Sequence, residues 1–99
     1  MAEPLATWTL KGFVERLDAW AALENPTPEL RRHVTAWVFT RYEQPYRGVR
    51  REPGFPDLWF GAVPNAVDDQ DRVVVCAYYI REAEHAVICE SFATLSQPV

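Results

Sequence analysis

Residues 58–92 read LWFGAVPNAVDDQDRVVVCAYYIREAEHAVICESF, and the fold turns on them. Three runs, 58–63, 72–80 and 86–92, are rich in Val, Ile, Tyr, Phe and Trp, side chains that suit a pleated, half-buried surface. A polar, acidic stretch, 64–71, joins the first pair, and a tight one, 81–85, joins the second. Connections this short allow only antiparallel neighbours, so the stretch predicts a three-stranded meander. Apolar residues fall on both faces of the middle run, so both faces are expected to be at least partly covered.

Upstream of the strands the period changes. Leu10, Phe13, Val14, Leu17, Trp20 and Ala21 recur at helical spacing, and Asn25-Pro26 ends the pattern. Thr9 is a candidate cap for this helix, and residues 6–9 read either as an edge strand or as the lead-in. A second helix starts at Thr27 as N-cap with Pro28 at its first position and Glu29 facing the helix dipole. Its apolar stripe is Leu30, Val34, Trp37 and Val38, with Arg31, Arg32, Thr35 and Arg41 pointing elsewhere, and Gln44-Pro45 stops it. The expected architecture is α+β: an N-terminal helix hairpin on a three-stranded antiparallel meander, four-stranded if residues 6–9 join it. Residues 45–57, with three prolines and two glycines, form a long loop that Tyr46, Val49 and Phe55 can anchor.

Ninety-nine residues, 48% hydrophobic and 13% aromatic, suit one domain spanning 1–99 with its own core. No signal-peptide pattern opens the sequence, no apolar run approaches the ~20 residues that span a bilayer, and there are only two cysteines. The expected setting is the cytoplasm, away from membranes. Net charge is −4, but it is segregated: residues 1–30 carry −3, residues 31–51 carry +5, and residues 52–99 carry −6. The central arginines either bind a polyanion or pair with the acidic second half.

Cys76 and Cys89 face each other if the hairpin turns between residues 82 and 83, and point to opposite faces after a one-residue slip. Buried, inert thiols are the expected reading, since no Cys-x-x-Cys accompanies them and His85 alone does not complete a metal site. Asp68, Asp69 and Asp71 lack the glycine and distal glutamate of a calcium loop and read as a solvated turn. His33 reads as solvated or half-buried, and the four tryptophans as core. No metal and no cofactor are expected.

The arginines are the remaining candidates for chemistry. Arg47, Arg50 and Arg51 sit on the long loop, Arg72 begins the middle strand, and Tyr78 shares the face of Arg72 by alternation. Guanidinium groups grip phosphates and stabilise charge developing at a phosphodiester, and a tyrosine can donate a proton or stack on a base. Alternatively, Arg72 flanks a strand and Tyr78 fills the core.

A helix hairpin, a basic loop and a meander together resemble the RelE/ParE superfamily of toxins from bacterial toxin–antitoxin pairs. Three segments carry the resemblance: Gln44-Pro45-Tyr46-Arg47-Gly48-Val49-Arg50-Arg51, Leu58-Trp59-Phe60, and Asp71-Arg72-Val73-Val74-Val75. It implies a compact toxin that binds RNA or the ribosome, cleaves mRNA without metal in its catalytic members, and is inhibited by an antitoxin protein. Under that resemblance Arg50 or Arg51 matches the loop bases and Arg72 the strand arginine. The candidate site is then Arg51, Arg72 and Tyr78 for catalysis, with Arg47 and Arg50 for substrate binding. The alternative is a non-catalytic protein-interaction module of the same fold, such as a mobile element would carry.

Overall fold

The computed structural model describes residues 7–96. The chain runs β1 (Thr9–Lys11), α1 (Phe13–Glu24), α2 (Pro28–Thr40), β2 (Arg50–Arg51), β3 (Leu58–Val67), β4 (Arg72–Arg81) and β5 (Ala86–Ser96), with a single 3₁₀ turn at Glu82–Glu84. The meander is present, but the sheet has five strands, in the order β1-β5-β4-β3-β2. The two additions are short edge strands. β2 pairs antiparallel with β3, Arg50 facing Phe60 and Arg51 facing Trp59. β1 pairs parallel with β5, Thr9 facing Ala86 and Lys11 facing Ile88, which makes the sheet mixed.

The first helix starts later than its periodicity suggests. Gly12 takes φ 77° and turns the chain from β1 into α1, acting as N-cap without any side-chain hydrogen bond. Thr9 therefore lies in a strand rather than at a cap, and its N–H donates to the His85 carbonyl at 3.0 Å. Leu10 belongs to β1, and Val14 is 68% exposed because the helix turns Phe13, Leu17 and Trp20 inward instead. Asn25, left-handed at φ 48°, closes α1, and the Thr27 side chain accepts from the Leu30 N–H at 3.2 Å to open α2. α1 lies against β5 and α2 against β3. Asp18 and Arg31 join the two helices at 2.9 Å.

The core lies between the helices and one face of the sheet. Val74, Cys76, Tyr78 and Ile80 of β4 meet Phe13, Leu17 and Trp20 of α1 and Val34 and Val38 of α2. The Trp20 indole N–H donates to Thr94 Oγ1 at 2.8 Å, tying α1 to β5. Residue 64, a proline that cannot donate to a ladder, sits where the β3–β4 register breaks between Ala62 and Val67. The strand resumes beyond it, so the connecting loop shrinks from the expected 64–71 to 68–71. Cys76 faces Phe92 and Cys89 faces Tyr78, because a register shift leaves Glu90 unpaired. The two free thiols are buried and neighbour one another diagonally.

The long loop is anchored, though not as its three apolar residues suggest. Phe55 is 55% exposed. Tyr46 rests edge-on against Trp59 at 4.9 Å, and Val49 packs on the core. Gly61 decides how close the loop comes: a Cβ there would stand 2.7 Å from the Gly48 carbonyl and 2.9 Å from Val49 Cγ1. Gly61→Ala is therefore expected to cost about 1–3 kcal/mol by overpacking. Urea unfolding would show it as a lowered midpoint with unchanged slope. An unchanged midpoint would mean that the loop does not sit this close.

Candidate functional site

Cross-strand partners project to the same side, so the ladder sorts every strand residue onto one of two faces. The even positions of β4 from Val74 to Ile80 face the helices. The odd positions, Val73, Val75, Ala77, Tyr79 and Arg81, face the other way, together with Leu58 and Phe60 of β3 and Ile88, Ala93 and Leu95 of β5. No helix among the described residues covers this outer face. The helices thus cover one face only; on the other, Val73, Val75, Ala77 and Tyr79 are half-buried and Leu95 is 50% exposed.

The charged side chains that the ladder assigns to the outer face are Lys11, Arg50 and Arg81. All three are cationic, in a chain of net charge −4; Glu90, left unpaired by the register shift between Cys89 and Ser91, is an exposed carboxylate on the same strand as the Lys11 partner Ile88. Arg50 lies over the Phe60 ring at 5.0 Å and Arg81 over the Tyr79 ring at 5.3 Å, so both guanidinium groups rest on outer-face aromatics. Arg81 has a long contact to Asp57 at 3.8 Å. Arg50 and Arg51 form no ion pair with a described residue.

The central arginines do not pair with the acidic second half. Arg31 meets Asp18 and Arg32 meets Glu29, both in the first thirty residues. Arg47 is exposed and donates to Gln44 Oε1 at 3.2 Å. Consecutive residues of β2 point to opposite sides, so Arg50 joins the outer face while Arg51 shares the side of Trp59. Arg50 and Arg51 lie on the edge strand β2, and Arg47 in the loop that leads into it.

Arg72 and Tyr78 lie elsewhere. Arg72 stands five residues along β4 from the row of Arg50, about 17 Å at ~3.4 Å per residue. It is clamped by Asp68 at 2.8 Å and Glu24 at 3.2 Å. The hydrogen bond that Arg72 donates to Asp68 raises the Arg72 pKa. Partial burial works to raise that of Asp68, but the backbone N–H groups of Arg72 and Gln70 and the Arg72 guanidinium outweigh it and hold the carboxyl below its ordinary value. Tyr78 does share the face of Arg72, but that face is the covered one. Its ring is fully buried, its hydroxyl donates to the Pro45 carbonyl, and it accepts from Arg41 Nη1 at 3.0 Å. Burial pushes the Tyr78 pKa up, against the opposing pull of Arg41. The structure does not bring Arg51, Arg72 and Tyr78 into one constellation.

Arg41, assigned to the solvent side from sequence, is only 3% exposed. It caps α2, lies over the Trp37 ring at 4.4 Å, and donates to the Arg47 carbonyl at 2.7 Å and to Thr40 Oγ1 at 3.1 and 2.9 Å. The tryptophan four residues earlier was the available signal, since the two share one face of the helix. Arg81 and Lys11 were also missed as members of a common face. Alternation from Tyr79 points to Arg81, whereas Lys11 needs the β1–β5 pairing. His33 is exposed, and its Nε2 donates to the Pro64 carbonyl at 2.6 Å. His85 stacks on Trp8 at 3.9 Å, and among the described residues no three His, Cys, Asp or Glu side chains gather as a metal site.

No family model matches the chain, and no curated protein matches it in sequence. Among solved structures it is similar to E. coli toxin RelE, in a double arginine-to-alanine mutant in the free state, with a TM-score of 0.59 at 14% identity. The match covers 90% of this chain and 83% of that one. The fold is RelE-like: two helices packed on a five-stranded mixed sheet. No helix among the described residues is long and apolar enough to cross a membrane.

Two outcomes check the polar contacts. Tyr78→Phe leaves a buried Arg41 N–H and the Pro45 carbonyl without a partner, and should lower stability by about 1–3 kcal/mol in chemical denaturation. Asp68, with its folded pKa depressed, contributes stability that is present above the ordinary carboxylate range and lost as pH falls through its lowered value. Asp68→Asn should accordingly flatten the acid limb of a stability–pH curve while lowering the plateau near neutrality. An acid limb as steep as that of the unsubstituted chain would remove the assigned role.

Proposed function

We propose that this chain is a RelE-like toxin module whose outer sheet face contacts RNA or the ribosome and is covered by an antitoxin-type protein partner when the module is held inactive. The observation that carries the reading is the uncovered face itself, apolar at its centre and bearing three cations at its paired positions, with Glu90 in the unpaired position of β5. The RelE-like fold supports it. An apolar sheet face that no helix covers is a candidate interaction site. Cations laid on aromatic rings suit a phosphodiester chain, because the guanidinium groups meet phosphates while the rings offer stacking surfaces.

In this reading Arg50, Arg81 and Lys11 are the RNA-facing cations of the outer face; Arg51 points to the opposite side of β2, and Arg47 lies in the loop that precedes it. Arg72 and Tyr78 hold the fold: one is neutralised by two carboxylates, and the other has its hydroxyl enclosed. Strand cleavage through those two residues is therefore not part of the proposal. A second reading, a non-catalytic protein-interaction module, is favoured by the apolar centre of the face, where Val73, Val75, Ala77 and Leu95 offer nothing to a phosphate.

The two readings separate by salt and by growth. RNA binding through three cations should weaken with a log–log salt slope of about −2. The double substitution Arg50→Ala and Arg81→Ala should remove most of that slope and relieve growth inhibition, with the thermal midpoint retained. RNA affinity that ignores salt, or wild-type expression that leaves growth untouched, would sink the toxin reading and leave the protein-interaction module.

A further inference from the structure

A second feature stands apart from the outer face. A cleft of about 600 Å³ opens between the C-terminal end of α2 and β3, lined among others by Trp37, Phe39, Arg41, Arg47 and Pro64. It exists because β2 is only two residues long. β2 pairs with Trp59 and Phe60, and the edge of β3 from Ala62 onward has no strand beside it. The volume falls within the range of small-molecule sites, roughly 300–1,000 Å³.

The chemistry of its lining is asymmetric. Arg41 is buried, yet every acceptor it meets is neutral: the Arg47 carbonyl, the Thr40 hydroxyl and the Tyr78 hydroxyl. It takes part in no ion pair with a described carboxylate. Buried charges are ordinarily paired, so a guanidinium held this way is an incomplete electrostatic arrangement. The C-terminal carbonyls of α2 offset only about half a charge. The uncancelled field reaches Tyr78 and Cys76, where Arg41 opposes the upward push of burial on both groups. Arg47 adds a second, exposed guanidinium at the rim, while Trp37 supplies an aromatic wall. Glu43, also in the lining, is the one carboxylate that would oppose an anion there.

We propose that this cleft binds a nucleotide, its phosphate drawn to the guanidinium groups of Arg41 and Arg47 and its base resting against Trp37. The same chemistry is offered by a free mononucleotide and by the terminal nucleotide of an RNA strand. The site is independent of the outer-face reading, because Arg50 and Arg81 do not line it.

Titration calorimetry of the full chain with adenosine 5′-monophosphate, in phosphate-free buffer, tests the proposal. Adenosine without the phosphate and inorganic phosphate without the base serve as comparison probes. The mononucleotide should bind at least tenfold more tightly than either and quench tryptophan fluorescence. Arg47→Ala should weaken binding about tenfold, the loss of one charge-assisted contact. It should leave the thermal midpoint unchanged, since the Arg47 backbone carbonyl, not its side chain, holds Arg41. Glu43→Gln should tighten binding by removing the opposing charge. A 5′-phosphorylated RNA hexamer that displaces the mononucleotide supports the site with a strand end as its source. A hexamer that does not displace it supports the site with the free nucleotide as ligand. No binding at millimolar mononucleotide overturns the proposal. Binding that neither Arg47→Ala nor Glu43→Gln alters also overturns it, since the ligand would then sit elsewhere.

Discussion

The fold depends most on one buried cation. Arg41 ends α2, and its guanidinium reaches the following loop through the Arg47 carbonyl and the middle strand through the Tyr78 hydroxyl. Tyr78 in turn donates to the Pro45 carbonyl. Helix, loop and sheet are thereby held at one node. Hydrogen bonds to a charged group contribute about 1.5–3 kcal/mol each, and breaking a buried arrangement by removing one member costs more than the bond was worth. The loop enters this node through two backbone carbonyls, so its path is set by main-chain atoms while its arginine side chains stay free to face outward. That division lets a basic, proline-rich segment be both fixed in place and available for binding.

The same economy governs the charge distribution. Carboxylates from the second half of the chain gather where they steady a connection: Asp68 accepts two backbone N–H groups in the 68–71 turn and clamps Arg72, with Glu24 closing from α1. The paired positions of the outer face carry none of them, while Glu90 stands at the unpaired position of β5. A chain with net negative charge therefore presents a cationic, partly aromatic surface at one side. Net charge describes the whole molecule poorly when acids and bases are sorted by face.

Much of this was legible from pattern. The meander followed from three β-rich runs with short connections, the start of α2 from Thr27 and Pro28, and the end of α1 from Asn25. What escaped has physical reasons. β1 is three residues long and pairs with a strand some 75 residues away, so no local periodicity announces it. Gly12 interrupts a helical pattern with a left-handed residue, which a count of apolar spacing passes over. Arg41 looked solvent-facing because charged residues usually are, and only its tryptophan neighbour and buried acceptors reverse that. For Tyr78 alternation correctly joined it to the face of Arg72, but could not say which face the helices would cover. Side assignment needs the three-dimensional packing, and it moved interest from Arg72 and Tyr78 to Arg50 and Arg81.

The parallel pairing of Thr9–Lys11 with residues 86–88 has a bearing on how the molecule comes into being. During synthesis the first strand leaves the ribosome with nothing to pair with, and it stays so until nearly the whole domain has emerged. Closing a loop of that length is entropically slow, and long-range strand pairing is the part of folding that lags. β1 thus waits unpaired until β5 has been made, and the sheet cannot be complete on that side before then.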